Sequence, residues 1–284
     1  MKDLFPRTAA GGVSLPRMLI GTNWLAGWTH RSAAADHRVR HHHRAPDSIV
    51  PLLETFVRGG VDAVMAPFGR VPAVTNAVRE AEQRLGVPII RIDTPVVNVD
   101  DTAEGRREAA ATFRESRELG AAFCLIHHSS TEQLVNKNKG VIDRLDDYTA
   151  MIREAGLLPG VTAHMPEIVV YCDQNGYDVE TYVQIYNCMG FLMQVEAEAV
   201  AGIIHSAKKP VMTIKPMAAG RVTPFVGLNF SWATLRDCDM VTVGCFDERE
   251  AEEVLEISRA ALERRHPDLE RRQSPNPGQA AFGE

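Results

Sequence analysis

Residues 121–129 read AAFCLIHHS, an apolar run that ends in two histidines. A run of this length, bounded by Gly120 and by serines, has the form of a buried strand. Seven further runs share the form: RMLIGTN (17–23), VDAVMAP (61–67), PIIRIDTP (88–95), LLPGVTAH (157–164), TYVQIYN (181–187), PVMTIKP (210–216) and DMVTVGCF (239–246). A helix-length amphipathic stretch follows each of them. Asp101 with Glu104 has the spacing of a capping box opening a helix through Glu118, with Gly120 as its stop. Residues 247–265 set Ala251, Val254, Leu255, Ser258, Ala261 and Leu262 on one helical face.

Strand followed by helix, repeated without hairpin signals, predicts a parallel sheet. Eight repeats in a chain of 284 residues predict closure into a single-domain (β/α)8 barrel, the TIM-barrel class of α/β fold, over residues 1–265. A doubly wound open sheet is the alternative, but no G-x-G-x-x-G follows the first strand. The polar segment 266–284 reads as a tail. Leu125, Val161, Val183, Ile214 and Val243 are expected to be largely buried.

The composition narrows the function classes. A formal net charge of −6 without a basic stripe gives no electrostatic case for nucleic acid. No apolar run approaches the roughly 20 residues of a membrane span. MKDLFPRTAAGG lacks the apolar core of a signal peptide, and five cysteines without a C-x-x-C pair read as reduced core residues. The expectation is a cytoplasmic protein whose partner is a small-molecule substrate. The oligomeric state stays open, a homo-oligomer included.

In a barrel of this kind the C-terminal ends of the strands converge on the face that carries chemistry. The tips read Asn23, Met65, Asp93, His127, His164, Tyr186 with Asn187, Lys215 and Gly244. Asp93, His127 and His164, on strands three to five, form a donor set for a divalent metal such as Zn, Mn or Fe. His127 shares strand parity with Phe123 and Leu125 and faces the barrel axis if they do, which turns His128 outward or into the next loop. Gln184 and Tyr186 share one parity. Lys215, ending an apolar strand, must be paired or desolvated, and desolvation would lower its pKa toward proton transfer. Arg221 follows it as a contact for an anion. Residues 24–46 form an unusually long first connection, expected to cover the His127 face, with Trp24 and Trp28 as apolar walls.

Several segments resemble the aldo/keto reductase superfamily: LIHHS, DDYTAMIREAGLLPGVTAHMPE, VQIYN, KPMAAGR and VTVGCFDEREAEEVLE, with RMLIGTN and VRGGVDAVMAPFG matching more loosely. The resemblance implies a (β/α)8 scaffold and places His127 on that family's catalytic histidine. It also implies a tyrosine, lysine and aspartate working with NAD(P)H, and here the chain departs. Phe68 stands for the tyrosine, the third strand carries no lysine, Ile214 replaces a ring that stacks on nicotinamide, and Asp247 and Glu248 would repel a 2′-phosphate. Gln184 is the one residue retained for a carboxamide contact.

These readings converge on acid–base chemistry, metal-assisted or not, on a small hydroxylated or carbonyl substrate: a lyase, isomerase or hydrolase. The catalytic set is His127, His164, Lys215, Asp93 and Tyr186. The substrate contacts are Asn23, Trp24, Trp28, His128, Gln184, Asn187 and Arg221. An NAD(P)H-dependent reductase with a substituted proton donor is the second reading, and a catalytically silent ligand-binding barrel the third.

Overall fold

The computed structural model describes residues 4–269. The chain opens with a two-stranded antiparallel hairpin, β1 (Arg7–Ala10) and β2 (Val13–Pro16). Then come β3 (Met18–Gly21), α1 (Ala33–His42), α2 (Val50–Arg58), β4 (Ala63–Ala66), α3 (Pro72–Leu85), β5 (Ile90–Asp93) and α4 (Ala103–Glu118). Next are β6 (Ala121–Ile126), the one-turn helix α5 (His128–Thr131), a small hairpin of β7 (Val135–Asn136) and β8 (Val141–Ile142), and α6 (Leu145–Glu154). The chain continues with β9 (Leu158–Ala163), α7 (Glu167–Asn175), β10 (Thr181–Ile185), α8 (Ala197–Ser206), β11 (Val211–Ile214), α9 (Pro224–Thr234), β12 (Met240–Val243) and α10 (Glu248–Glu263).

Strands β3, β4, β5, β6, β9, β10, β11 and β12 close into a barrel, each parallel to its neighbours. These are the eight runs read from the sequence, and the fold is a single (β/α)8 domain. Strand alternation sorts the core into two layers. Leu19, Met65, Ile92, Phe123, Leu125, Val183, Met212 and Met240 fill the barrel interior. Met18, Ile20, Val64, Cys124, Ile126, Val161, Tyr182, Val211, Val241 and Val243 face the helices. Burial of a side chain such as Leu125 contributes roughly 1.5–3 kcal/mol. Gly160 makes room for it: a Cβ there would lie 2.3 Å from Leu125 Cδ2.

Four of the five residues expected to be buried are so, and Ile214 is half-exposed because it borders the cavity at the barrel mouth. The N-terminal hairpin went unread. Its signal was the Gly11-Gly12 pair, both at positive φ (54° and 77°), which suits a two-residue turn. The hairpin places Ala10 and Leu15 in the interior layer and is pinned to the start of β4 by an Arg7–Asp62 ion pair at 2.8 Å.

Helix α4 is capped by Thr102, whose hydroxyl accepts from the Gly105 amide at 2.9 Å, and not by Asp101, which pairs with Arg106. All five cysteines are free, with Cys124, Cys172 and Cys245 buried. No helix among the described residues is long and apolar enough to cross a membrane. Of the expected tail, residues 270–284 lie outside the described residues. Residues 266–269 return along α10, where the Asp268 amide donates to Glu256 Oε1 at 2.7 Å.

Candidate active site

A wide cavity opens at the C-terminal mouth of the barrel, lined by Asn23, Thr162, His127, His128, His164, Lys215 and Thr242, among others. The connection after β3 covers this face with Trp24, Trp28, His30 and Arg31. The rest of that connection is ordered as α1, and its triple histidine packs away from the mouth. His42 stacks on Phe246 with ring centroids 4.5 Å apart, and His43 is bonded to Ser48 at 3.1 Å.

Both histidines of LIHHS reach the cavity, for different reasons. His127 arrives by strand parity, above Leu125 and Phe123, and its amide donates to Pro95 O at 3.0 Å. The chain then turns at once into α5. His127 caps that turn, its Nδ1 accepting from the Ser129 amide at 3.3 Å, while Thr131 and Ser130 fasten the segment to Ile126 O and to Val97. The turn carries His128 into the segment that follows the strand, the second of its two expected placements, and sets it over the mouth.

Four residues further on, where a helical turn brings side chains together, stands Glu132. Its Oε1 accepts from the His164 amide at 2.6 Å, and its Oε2 lies 3.8 Å from His128 Nδ1. The His128 and His164 rings stack at 3.7 Å, tilted by 22°. His128, Glu132 and His164 each offer a ligand atom, all within 4.8 Å of one another.

Asp93 does not belong to this set. Ile92 takes the inward side of β5, so Asp93 points toward α4, where it accepts from the Phe68 amide at 2.9 Å and from Ser116 Oγ at 2.6 Å. Burial pushes its pKa up against those hydrogen bonds. The expected Asp93–His127–His164 donor set is therefore not brought together. The cluster that does form takes its carboxylate from Glu132, which the sequence reading passed over. Its signal was the i,i+4 spacing of His128 and Glu132 directly after a strand.

Strand β10 departs from expectation in the same way. Val183 faces inward, so Gln184 and Tyr186 face the helices. The Tyr186 hydroxyl donates to Thr234 Oγ1 at 2.9 Å, and Gln184 Nε2 donates to Ile185 O at 3.3 Å. Asn187 is fully buried and folds its own loop, accepting from the Phe191 amide at 2.9 Å and donating to Phe191 O at 3.0 Å. None of the three lines the cavity.

Lys215 does line it, from a left-handed backbone conformation (φ 62°) that a non-glycine residue adopts at a cost. Burial lowers its pKa to about 8, and no side chain among the described residues offsets the charge. Burial, reinforced by His128, lowers both His127 and His164 to about 4, so both rings are neutral near pH 7. Burial pushes Glu132 up, but His128 and the His164 amide outweigh it and hold the carboxyl below its ordinary value. Asn23 Nδ2 approaches His30 Nε2 at 3.5 Å. Arg221 straps the mouth: its guanidinium lies 4.0 Å over the Phe191 ring and donates to Ala218 O at 3.2 Å and to His30 O at 3.1 Å.

The donor types suit a divalent ion, which the stacked His128 and His164 rings would have to splay to bind together. His128 Nδ1 is buried and has no hydrogen-bond partner among the described residues. Two ligands of one tetrahedral ion, bound at about 2.1 Å, stand about 3.4 Å apart, close to the 3.8 Å between His128 Nδ1 and Glu132 Oε2. Burial keeps the His164 imidazole neutral near pH 7, and Glu132 is held ionised, the states that ligation requires of them.

No protein-family model and no curated protein matches the chain. Solved structures do. A putative aldo-keto reductase from Pseudomonas aeruginosa superposes with a TM-score of 0.64 at 12% identity, covering 90% of this chain and 95% of that one. Glycerol dehydrogenase from Gluconobacter oxydans gives 0.60 at 10% identity, covering 94% and 98%. Aldose reductase from Giardia lamblia gives 0.54 at 11% identity, covering 91% of each chain. At these identities the likeness is one of fold alone: this chain and those three structures share a (β/α)8 barrel.

Proposed function

We propose that this chain is a (β/α)8 enzyme that performs metal-assisted acid–base chemistry on a small hydroxylated or carbonyl-bearing substrate. The observation that carries the reading is the unpartnered, buried His128 Nδ1, 3.8 Å from Glu132 Oε2 in a cluster completed by His164. His128, Glu132 and His164 would hold the ion, and their imidazole and carboxylate donors suit Zn, Mn or Fe. When bound, such an ion polarises a hydroxyl or carbonyl oxygen as a Lewis acid.

His127 stands beside this cluster, its ring centroid 4.2 Å from that of His128. His127 Nδ1 lies 2.8 Å from Ser129 Oγ and 3.3 Å from the Ser129 amide, and as the acceptor of that amide it would leave the ring hydrogen on Nε2. A neutral imidazole with Nε2–H free is a hydrogen-bond and proton donor to an oxygen on which charge develops. Lys215 adds positive charge to the same mouth, and Trp24 and Trp28 give it an apolar wall. Lyase and isomerase reactions, which begin or end with such a proton transfer, suit this arrangement best.

The reductase reading has less support. Gln184, the residue retained for a nicotinamide contact, faces the helices, and Phe68, standing for the tyrosine, is buried in the outer layer with its amide on Asp93. The deciding experiment is elemental analysis after reconstitution with Zn, Mn or Fe, followed by solvent-deuterium exchange into hydroxy and oxo acids and sugars. One ion per chain with metal-dependent exchange supports the proposal. Failure to retain any of the three ions, together with micromolar binding of NADPH, would overturn it.

A further inference from the structure

The mouth of the barrel carries cations that the metal cluster does not use. Lys215 projects from the end of β11 into the cavity, and among the described residues nothing pairs with it. A buried charge without a partner is costly, and the left-handed backbone at Lys215 adds to that cost. The neighbouring wall is basic as well. Arg31 Nη1 lies 3.7 Å from the Cβ position of Gly220, in the loop that follows Lys215, and His30 stands close enough to be influenced by Lys215. Arg70 lines the same mouth. The whole chain has a net charge of −6, yet at the mouth the one carboxylate in the titratable cluster is Glu132. Of the acids that line the groove, Glu252 and Glu253 lie further along α10, while Glu250 stands in its first turn and accepts from the Phe246 amide at 2.7 Å.

The barrel floor supplies an independent observation. Thr162 and Thr242 are each 6% exposed, line the cavity, and have hydroxyl oxygens with no hydrogen-bond partner among the described residues. Thr162 shares the inward parity of His164, and Thr242 that of Met240. Buried hydroxyls in this condition call for a polar ligand.

We propose that Lys215, Arg31 and His30 form an anion subsite, and that the substrate is a small hydroxylated anion whose carboxylate or phosphate they hold while Thr162 and Thr242 bind its hydroxyls. The assignment rests on the reading of the neighbouring cluster as the reaction centre, since it is the bound substrate's hydroxyl or carbonyl carbon that the subsite would present there. A carboxylate and a phosphate ester share the chemistry that this wall recognises: oxygens carrying negative charge, matched to an ammonium and a guanidinium.

The test uses metal-free full-length protein, so that it does not depend on the cluster. Fluorescence of Trp24, whose ring lies 3.9 Å from the Gly220 Cβ position, is followed while inorganic phosphate, acetate, glycerol 3-phosphate and glycerate are added at constant ionic strength. Saturable binding of phosphate or of acetate is expected, and whichever binds tighter identifies the source of the anion. Lys215→Met should weaken binding about tenfold or more, the usual loss for a charge-assisted contact, and Lys215→Arg should restore part of it. Thr162→Val with Thr242→Val should weaken glycerol 3-phosphate or glycerate and leave the simple anion unchanged. Melting curves verify that each variant is folded. No saturable binding to the wild-type chain, or equal affinity in Lys215→Met, overturns the subsite. Loss of metal binding in His128→Ala with anion affinity unchanged would support the subsite and show that it stands apart from the metal cluster.

Discussion

The imidazole rings of His128 and His164 stack at 3.7 Å, with 22° between their planes, although one follows β6 and the other ends β9. Ring nitrogens bind along directions in the ring plane. Two stacked rings must therefore splay before both can aim at one ion. Burial lowers the His164 pKa to about 4, which keeps that ring available as a ligand at neutral pH.

Metal binding is the first consequence. His128→Ala, His164→Ala and Glu132→Gln should each lower affinity for Zn by at least 10-fold, and the double histidine variant should retain no ion through gel filtration, read by elemental analysis. His127→Ala should bind metal as the wild type does. Equal metal content in all four would show that the cluster is not a ligand set.

Catalysis should separate the two adjacent histidines differently. His127→Ala is expected to lower turnover by about 10²-fold or more, the usual loss of a positioned acid–base group, with metal content intact. His128→Ala should lose turnover and metal together. Steady-state rates and metal stoichiometry on the same preparations distinguish the two effects. A His127→Ala variant with full activity would remove its assigned role.

Lys215 carries a pH-dependent stability. Its pKa falls from 10.5 in the unfolded chain to about 8 in the native one. Between those values the unfolded state binds more protons, so the native state gains stability as pH rises through that window and carries the full cost of the buried charge below it. Lys215→Met should therefore raise stability near pH 7 by roughly 1–3 kcal/mol, with the gain vanishing near pH 10.5. Thermal melts at pH 7 and pH 10 test this. A lower melting temperature at pH 7 would mean that Lys215 has a stabilising partner.

Asp93 is expected to matter for the fold alone. Asp93→Ala leaves the Phe68 amide and the Ser116 hydroxyl without their acceptor. That change should cost about 1–3 kcal/mol, seen as a lower denaturation midpoint, with metal affinity unchanged. A selective loss of metal affinity would contradict its placement between β5 and α4.

The sequence by itself determined the barrel. Each of the eight strands lies inside an apolar run readable in the chain, because a parallel strand covered on both faces must be apolar throughout. Parity also placed His127 correctly, since alternation is a local property of the strand. What lies beyond the strand ends could not be read that way. Asp93 and Tyr186 sit at tips yet face the helices, because Ile92 and Val183 hold the inward positions, and a tip shows no parity until its strand is registered against its neighbours. His128 enters the cavity because one helical turn replaces the extended chain immediately after β6, reversing the direction that alternation assigns it. Glu132 joins His164 across 32 residues of sequence, and such a pairing exists only once the loops after β6 and β9 are packed side by side. Local periodicity fixes the scaffold, because each strand and helix must bury its own apolar face. The His128–Glu132–His164 cluster is made by loops from different strands, and only closure of the barrel brings them together.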